Sequence, residues 1–483
     1  MSRQVVGPFN RVEGDLEVQL DIVNGQVHDA WVVSPLYRGF EQILHGKDPR
    51  DALVYAPRIC GICSVSQSVA AARALASAQG VDMPANGQHA TNLVLANENV
   101  ADHLTHFYLF FMPDFARQIY QAERWYADAA ARFRAVEGSA ARDFLPGRAK
   151  FLHLMGLLAG KWPHSLALQP GGTTRAVEAQ EKTRILAILF EFRRFLEQTV
   201  YGTALERLEE IDSIDRLLAY RQEVQTKHSD FSHFLRIADE LDLASLGRTD
   251  NPFMSYGTYP MAGQHFFEPG VWMDGVRQPL QQDSITEDMS HSWMAHRSMP
   301  LHPFEGITQP EADAEAGYSW CKAPRFQGRV VEVGALARQV VDGHPLVREL
   351  VVTGGGNVRN RVIARLLETA RVVIAMEQWT RALRIGEPFC DHVTIPDEGQ
   401  GVGLVEAARG SLGHWLRIKN GRIINYQIIA PTTWNLSPRD QNGVRGGLEQ
   451  ALLGAPVRNG EREPVAVQHI VRSFDPCMVC TVH

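Results

Sequence analysis

Two stretches near the ends of the chain alternate apolar and polar residues with a period of two, and an Asn-Gly pair interrupts each. In "LEVQLDIVNGQVHDAWVV", Leu16, Val18, Leu20 and Ile22 share one face and Asn24-Gly25 marks a two-residue turn. In "LRIKNGRIINYQII" the turn falls at Asn420-Gly421. Both stretches predict β-hairpins. Between them the pattern is mainly helical. From about Asn92 to Arg134 helix breakers are few, and Asp102, His106 and Phe110 fall at i, i+4 and i+8, on one face of a helix. Ile185, Leu189, Phe192 and Leu196 form an apolar stripe of the kind that faces a core. "LQPGGTT" and "SMPLHPFEGITQPEA" predict loops. "TGGGNVRNR" lacks the Lys-Ser/Thr of a phosphate-binding loop and predicts a tight turn. There is no internal repeat and no clear linker. The expected fold is α+β and mainly helical, a central long-helix bundle with small antiparallel sheets near both chain ends, in one domain over 1–483.

Composition narrows the class. Of 483 residues, 45% are hydrophobic and 21% charged, which suits a soluble globular chain with a large core. The net charge of −7 and the lack of a basic tract argue against nucleic acid as a partner. No apolar run reaches the roughly 18–20 residues of a membrane span. The N-terminus shows no secretory signal, so a cytoplasmic location is expected.

The cysteines change the picture most. Four of six stand in two Cys-x-x-Cys pairs: Cys60 and Cys63 in "RICGIC", Cys477 and Cys480 in "DPCMVC". A thioredoxin-like pair would need a compact βαβ setting, which neither pair has. A structural zinc tetrathiolate usually draws its two pairs from within about 20 residues, whereas these lie at opposite ends of the chain. A thiolate site for nickel, iron or zinc joining the two chain ends is the third reading. Four thiolates need cationic compensation when buried, and two such pairs can bridge two metals. Spacing does not choose the metal. Glu13, Glu41, Arg409, Thr432 and the terminal His483 lie in segments that could surround such a site.

Taken in order, "RVEGD", "RGFEQILHG", "RICGIC", "ADHLTHFY", "KWPHSLALQPGG", "ARGSLGHW", "PTTWN" and "DPCMVCTVH" closely resemble the large subunit of nickel–iron hydrogenases, across nearly the whole chain. The resemblance implies a buried nickel–iron centre whose iron carries carbon monoxide and cyanide. It implies Cys60 and Cys477 as terminal nickel ligands, and Cys63 and Cys480 as bridges to iron. Arg409 would face the open coordination position, oriented by Asp102 and Asp475. Thr432 would help hold a cyanide. Glu13 would carry protons outward, and Glu41, His483 and the carbonyl of Ile428 would bind magnesium or a similar ion. The implied activity is heterolytic splitting of hydrogen gas, which needs a Lewis-acid metal beside a base. An iron–sulfur cluster generally takes four thiolates, and only Cys321 and Cys390 remain. The electrons must therefore leave through a partner, and the family implies an iron–sulfur small subunit, with maturation chaperones to assemble the centre.

Departures from the commoner family pattern point to a branch. Gln67 stands where many members carry a histidine that donates to a bridging cysteine, Asp15 where a histidine is common, and Ala408 where a proline is common. These resemble hydrogen-sensing regulatory hydrogenases and cyanobacterial uptake enzymes. The chain retains Met1 yet ends at His483, which fits sensor members made without a cleaved tail. Ile62 and Phe110 fall along the expected gas channel, where bulky side chains would hinder oxygen more than hydrogen; ordinary core packing explains them equally well. The expectation is a slow hydrogen oxidiser that reports to a histidine kinase. An uptake hydrogenase feeding electrons into metabolism is the alternative, and a non-enzymatic zinc protein is the alternative from another class.

Overall fold

The computed structural model describes residues 2–225, 227–295 and 299–483. Met1, and Ser298 at the head of the second expected loop, lie outside the described residues. Strand β1 (Ser2–Val6) was not foreseen; it adds antiparallel to the predicted hairpin of β2 (Glu17–Val23) and β3 (Gln26–Val33). Leu16, Val18 and Leu20 are fully buried. Ile22 is only half-buried, because the register shifts between Asp21 and Ile22 and ends the clean alternation. Asn24 and Gly25 both take positive φ, as does Asn420-Gly421, the geometry a tight two-residue hairpin demands.

The helical centre rests on α1 (Ser64–Gln79), α2 (Ala85–Thr105), α3 (Ala179–Phe195), α4 (Ala335–Asp342) and α5 (Val358–Ala382). α2 and α5 pack together and are buried on nearly every face, so their sequences show no strong polar side. The stripe Ile185, Leu189, Phe192 and Leu196 is core, as its spacing suggested. The glycines of "TGGGNVRNR" turn the chain into α5, where the Asn357 side chain caps the helix by accepting from Asn360 N–H at 2.9 Å. "LQPGGTT" is not a plain loop. It folds into a minimal hairpin, Leu168–Gln169 paired with Gly172–Thr173.

The long helix expected from Asn92 to Arg134 does not run through. After Thr105 the chain opens into a π-helical turn, His106–Phe111, and then tightens into a 3₁₀ turn, Met112–Ala116. Pro113 has no N–H to continue the α-helical ladder, which accounts for the break. The shared face of Asp102, His106 and Phe110 therefore dissolves: Asp102 and His106 are buried, while Phe110 is half-buried in the π turn.

The second predicted hairpin becomes a three-stranded antiparallel sheet of β4 (Gly399–Ala407), β5 (Gly410–Lys419) and β6 (Arg422–Ile429), in that order. α1 lies almost directly on β4. A Cβ at Gly401 would stand 2.0 Å from Ala74 O, and one at Gly403 1.9 Å from Ala70 O. Only glycine permits such an approach of strand to helix backbone. The chain closes with α6 (Pro431–Asn435), α7 (Val465–Ser473) and α8 (Met478–Thr481). Among the described residues no helix is long and apolar enough to cross a membrane.

The docking of α1 on β4 matters because α1 begins immediately after Cys63, while β4 and β5 carry Arg409 between them. Gly403→Val is expected to push the helix off the sheet and lower stability by about 1–3 kcal/mol, the usual cost of overpacking. Thermal unfolding of the purified protein checks it; an unchanged midpoint would show the contact to be slack.

Candidate metal centre

The two Cys-x-x-Cys pairs meet. Cys60 Sγ lies 3.6 Å from Cys477 Sγ, Cys63 Sγ 3.0 Å from Cys480 Sγ, and Cys477 Sγ 3.0 Å from Cys480 Sγ. The four sulfurs all fall within 4.8 Å of one another, and all four residues are buried. Each pair sits at the mouth of a helix. Cys63 directly precedes the first turn of α1 and Cys477 that of α8, and the dipole of the long helix α1 presents its positive end to Cys63.

Backbone contacts weld the chain ends here. Glu13 and Cys477 form an isolated parallel bridge, Glu13 N–H donating to Pro476 O at 3.3 Å and Met478 N–H to Glu13 O at 2.7 Å. Arg38 N–H donates to Val482 O at 3.1 Å, and its guanidinium donates to Ile59 O at 2.5 Å and to Val479 O. Arg38 thus ties the segment before Cys60 to the tail.

A thiol cluster this tight cannot ionise freely. Hydrogen bonding from Cys477, then from Cys480 and Cys63, draws the Cys60 thiol well below its ordinary range. Hydrogen bonding to Cys477 raises Cys63, and burial raises Cys480, both well above it. Four thiolates together require a cation among them. Soft sulfur donors, fully enclosed, fit nickel, iron or zinc.

Arg409 supplies a fixed positive charge that acts on the cluster. Its Nη1 donates to Asp102 Oδ2 at 2.6 Å, its Nη2 to Asp475 Oδ1 at 3.1 Å, and its Nε to Asp475 O at 2.9 Å. All three side chains are buried. Asp475 holds a left-handed backbone, φ 56°, which two hydrogen bonds from Arg409 secure. Two carboxylates share one guanidinium, and they split. Burial lifts Asp102 to about 8 against the pull of Arg409. Asp475, equally buried, is held below the usual carboxylate range by Arg409. Thr432 Oγ1 accepts from Cys477 N–H at 3.1 Å. Glu13 is half-buried, and burial followed by the neighbouring Cys60 raises its carboxyl. Gln67 Nε2 approaches Cys480 Sγ at 4.0 Å. Ile62 lies half-buried in the turn between Cys60 and Cys63. Phe110 takes a hydrogen bond on its carbonyl from Arg11 at 3.2 Å. Asp15 is exposed and Ala408 buried.

The residues expected to hold magnesium come together. His483 Nε2 is 3.2 Å from Glu41 Oε1, and Ile428 N–H donates to the same oxygen at 2.8 Å. The Lys322 ammonium sits among them, 3.0 and 2.9 Å from the two Glu41 oxygens and 2.9 Å from Gln427 Oε1. Against burial, Lys322 and then His483 hold Glu41 down to about 2. The closed cavity beside them, about 10 Å³, is lined by Glu287 and Thr433, whose Oε1 and Oγ1 have no partner among the described residues.

Several buried groups around the centre were not singled out from the sequence. Glu98, one turn before Asp102 on α2, caps α1 by accepting from Val65 N–H at 2.8 Å and Ser66 N–H at 2.9 Å. The i, i+4 spacing to Asp102 was the available signal. Arg338 on α4 donates to the carbonyls of Ala407 and Ala408, at 2.8 and 3.0 Å, and pairs with Glu368 and Glu406. It fixes the turn that presents Arg409, and nothing in its local sequence announces this.

A closed tetrathiolate served by a buried guanidinium and a half-buried carboxylate defines a redox metalloenzyme subunit rather than a structural zinc knot, which would need neither of those charges. Comparison identifies the family. The model of the nickel-dependent hydrogenases matches residues 38–136 and 140–483. The chain is 30% identical to the periplasmic [NiFeSe] hydrogenase large subunit of Desulfomicrobium baculatum, covering 99% of this chain and 94% of that one. It is 29% identical to the hydrogenase-2 large chain of Escherichia coli (strain K12), covering 100% and 97%. The reduced Ni-Fe-Se hydrogenase from D. vulgaris Hildenborough superimposes with a TM-score of 0.85 at 29% identity, over 100% of both chains. This chain belongs to the nickel-dependent hydrogenase family and is a large subunit, an oxidoreductase acting on hydrogen.

Removing one sulfur should empty the site without unfolding the rest. Cys477→Ser is expected to lose bound nickel while keeping the far-ultraviolet dichroism of the wild type. Elemental analysis checks it, and a nickel content equal to wild type would take Cys477 out of the ligand set.

Proposed function

We propose that the four thiolates hold a nickel–iron pair whose iron carries carbon monoxide and cyanide, and that the chain oxidises hydrogen slowly, as a sensor. The sulfur cluster between the two chain ends, with Arg409 and Glu13 beside it, is the observation that carries this reading. When bound, the metal pair supplies a Lewis acid that polarises hydrogen. The protein's own groups handle the proton. A terminal thiolate, Cys477 or Cys60, takes it in the pocket. Glu13, clipped to the Cys477 segment and half-open to solvent, passes it outward, its raised carboxyl suited to accept and release. Arg409, locked by Asp102 and Asp475, holds a positive charge at the cluster and excludes water from it. Thr432 keeps a hydroxyl proton to offer after accepting from Cys477 N–H. The electrons require an iron–sulfur small subunit, since Cys321 and Cys390 lie apart from the cluster.

We assign magnesium to the Glu41–His483 pocket in the same spirit. Two carboxylates there, Glu41 and Glu287, face one ammonium, and unpartnered oxygens of Glu287 and Thr433 remain. A divalent ion would match the two carboxylates in charge and take the unpartnered oxygens as ligands. The whole of 1–483 serves as one domain in this account, and its large apolar cluster runs from β1 to α8.

The sensor role rests on Gln67 beside Cys480 and on Ile62 and Phe110 as a narrowed gas path, and implies a histidine kinase downstream. An uptake role is the second reading, favoured by relatives such as the uptake hydrogenase large subunit of Rubrivivax gelatinosus, 28% identical over 100% of this chain. Turnover separates the two: a sensor is expected to turn over far more slowly than an uptake enzyme and to retain a kinase in pull-downs, and fast turnover without kinase binding would make it an uptake enzyme.

Two variants test this reading. Glu13→Gln should stop hydrogen–deuterium exchange while nickel and iron remain bound; full exchange in that variant would remove Glu13 from the proton route. Ile62→Val with Phe110→Leu should increase inhibition by oxygen, read as residual activity after exposure to air. An unchanged response would return both residues to packing.

A further inference from the structure

Behind Gln67 stands a second pair of polar side chains with no assigned task. His414 on β5 and Tyr426 on β6 lie diagonally across the sheet, on the face covered by α1. Tyr426 OH is 2.7 Å from His414 Nδ1, His414 Nε2 is 2.9 Å from Gln67 Oε1, and Gln67 Nε2 points to Cys480 Sγ. All three residues are fully or almost fully buried. Burial keeps the imidazole neutral, its pKa pushed down to about 3.

A neutral imidazole has one donor and one acceptor nitrogen, so the orientation of every group in this chain is linked. With Gln67 Oε1 facing His414, Nε2 must carry the proton. Nδ1 must then accept, and Tyr426 O–H must donate. The opposite assignment would have Tyr426 accept from Nδ1–H, leaving its own buried O–H with no acceptor among the described residues, and Nε2 accept from the amide. Gln67 would then turn its carbonyl towards the sulfur, setting two acceptors against each other. A primary amide alone has no such preference built in, because its two ends are nearly the same shape. Gln67 therefore needs a second residue to orient it.

We propose that Tyr426 and His414 are positioning residues: they set the amide of Gln67 so that Cys480 receives an N–H donor and never a carbonyl. This rests on the reading of Cys480 as a metal-bridging thiolate. A donor on that sulfur withdraws electron density from it, and through it from the metals. Losing the donor makes the thiolate a stronger electron donor and sends more density into the antibonding orbitals of carbon monoxide on iron. The stretching band of that ligand then moves to lower wavenumber.

Infrared spectra of the purified holoenzyme test this, at matched nickel content and redox state. Gln67→Leu is expected to lower the carbon monoxide band, and Tyr426→Phe to lower it in the same direction by a smaller amount. The double variant should match Gln67→Leu alone, since both changes act through one bond. Gln67→His, which restores an N–H donor, should bring the band back towards wild type and make it insensitive to Tyr426→Phe. If Tyr426→Phe fails to load nickel, His414→Asn serves in its place, with the band of Gln67→Leu expected. A band at the wild-type position in fully loaded Tyr426→Phe or His414→Asn overturns the proposal, as do shifts that add in the double variant. Absence of carbon monoxide and cyanide bands from the wild type would instead overturn the nickel–iron reading itself.

Discussion

Four thiol sulfurs within 4.8 Å, in a pocket closed to water, repel one another as soon as more than one of them ionises. The cluster is stable as a set of thiolates only with cations at its centre, and much of the surrounding structure serves to hold the sulfurs ready for them. That requirement explains why the last residues of the chain are core. α8 is a single turn, too short to hold its own shape. It is fixed instead by the Glu13 bridge, by Arg38 and by the Glu41–His483 contact. Each of these ties the tail to a residue in the first tenth of the sequence.

Charge is settled outward from that centre. Arg409 brings one positive charge and two carboxylates, which fix its guanidinium from both sides. Arg338 repeats the arrangement one step further out, pairing with Glu368 and Glu406 while holding the carbonyls that precede Arg409. Desolvation offsets much of what such buried pairs gain, and what they supply here is position. Beside Cys480, Gln67, His414 and Tyr426 present dipoles where Arg409 presents charge. The four sulfurs thus sit in an asymmetric field, which can give the thiolates different basicities without a change in their ligand type.

What could be read from the sequence follows from how local each signal is. Both Asn-Gly hairpins were legible because turn and alternation lie within a few residues of each other. The third strand of each sheet was missed. β1 is only five residues long, and β4 carries glycines in place of apolar residues precisely where α1 must come close. The two cysteine pairs are conspicuous from spacing alone, and the family likeness placed Arg409, Asp102 and Asp475 around them. Glu98 offered only its i, i+4 spacing to Asp102, and Arg338, His414 and Tyr426 gave no such sign, because each is defined by a partner remote in sequence and each residue type has an ordinary explanation in isolation. The run from Asn92 to Arg134 failed as one helix for a reason that was visible, Pro113, whose effect reaches back through the π turn at His106.

X-ray absorption at the nickel edge of the purified protein addresses the convergence of the chain ends most directly. The account predicts nickel in a sulfur-dominated shell at about 2.3 Å, the length of a first-row metal–thiolate bond, with iron as its next heavy neighbour. Nickel coordinated mainly by nitrogen and oxygen, or a protein that carries zinc in place of nickel and iron, would contradict it.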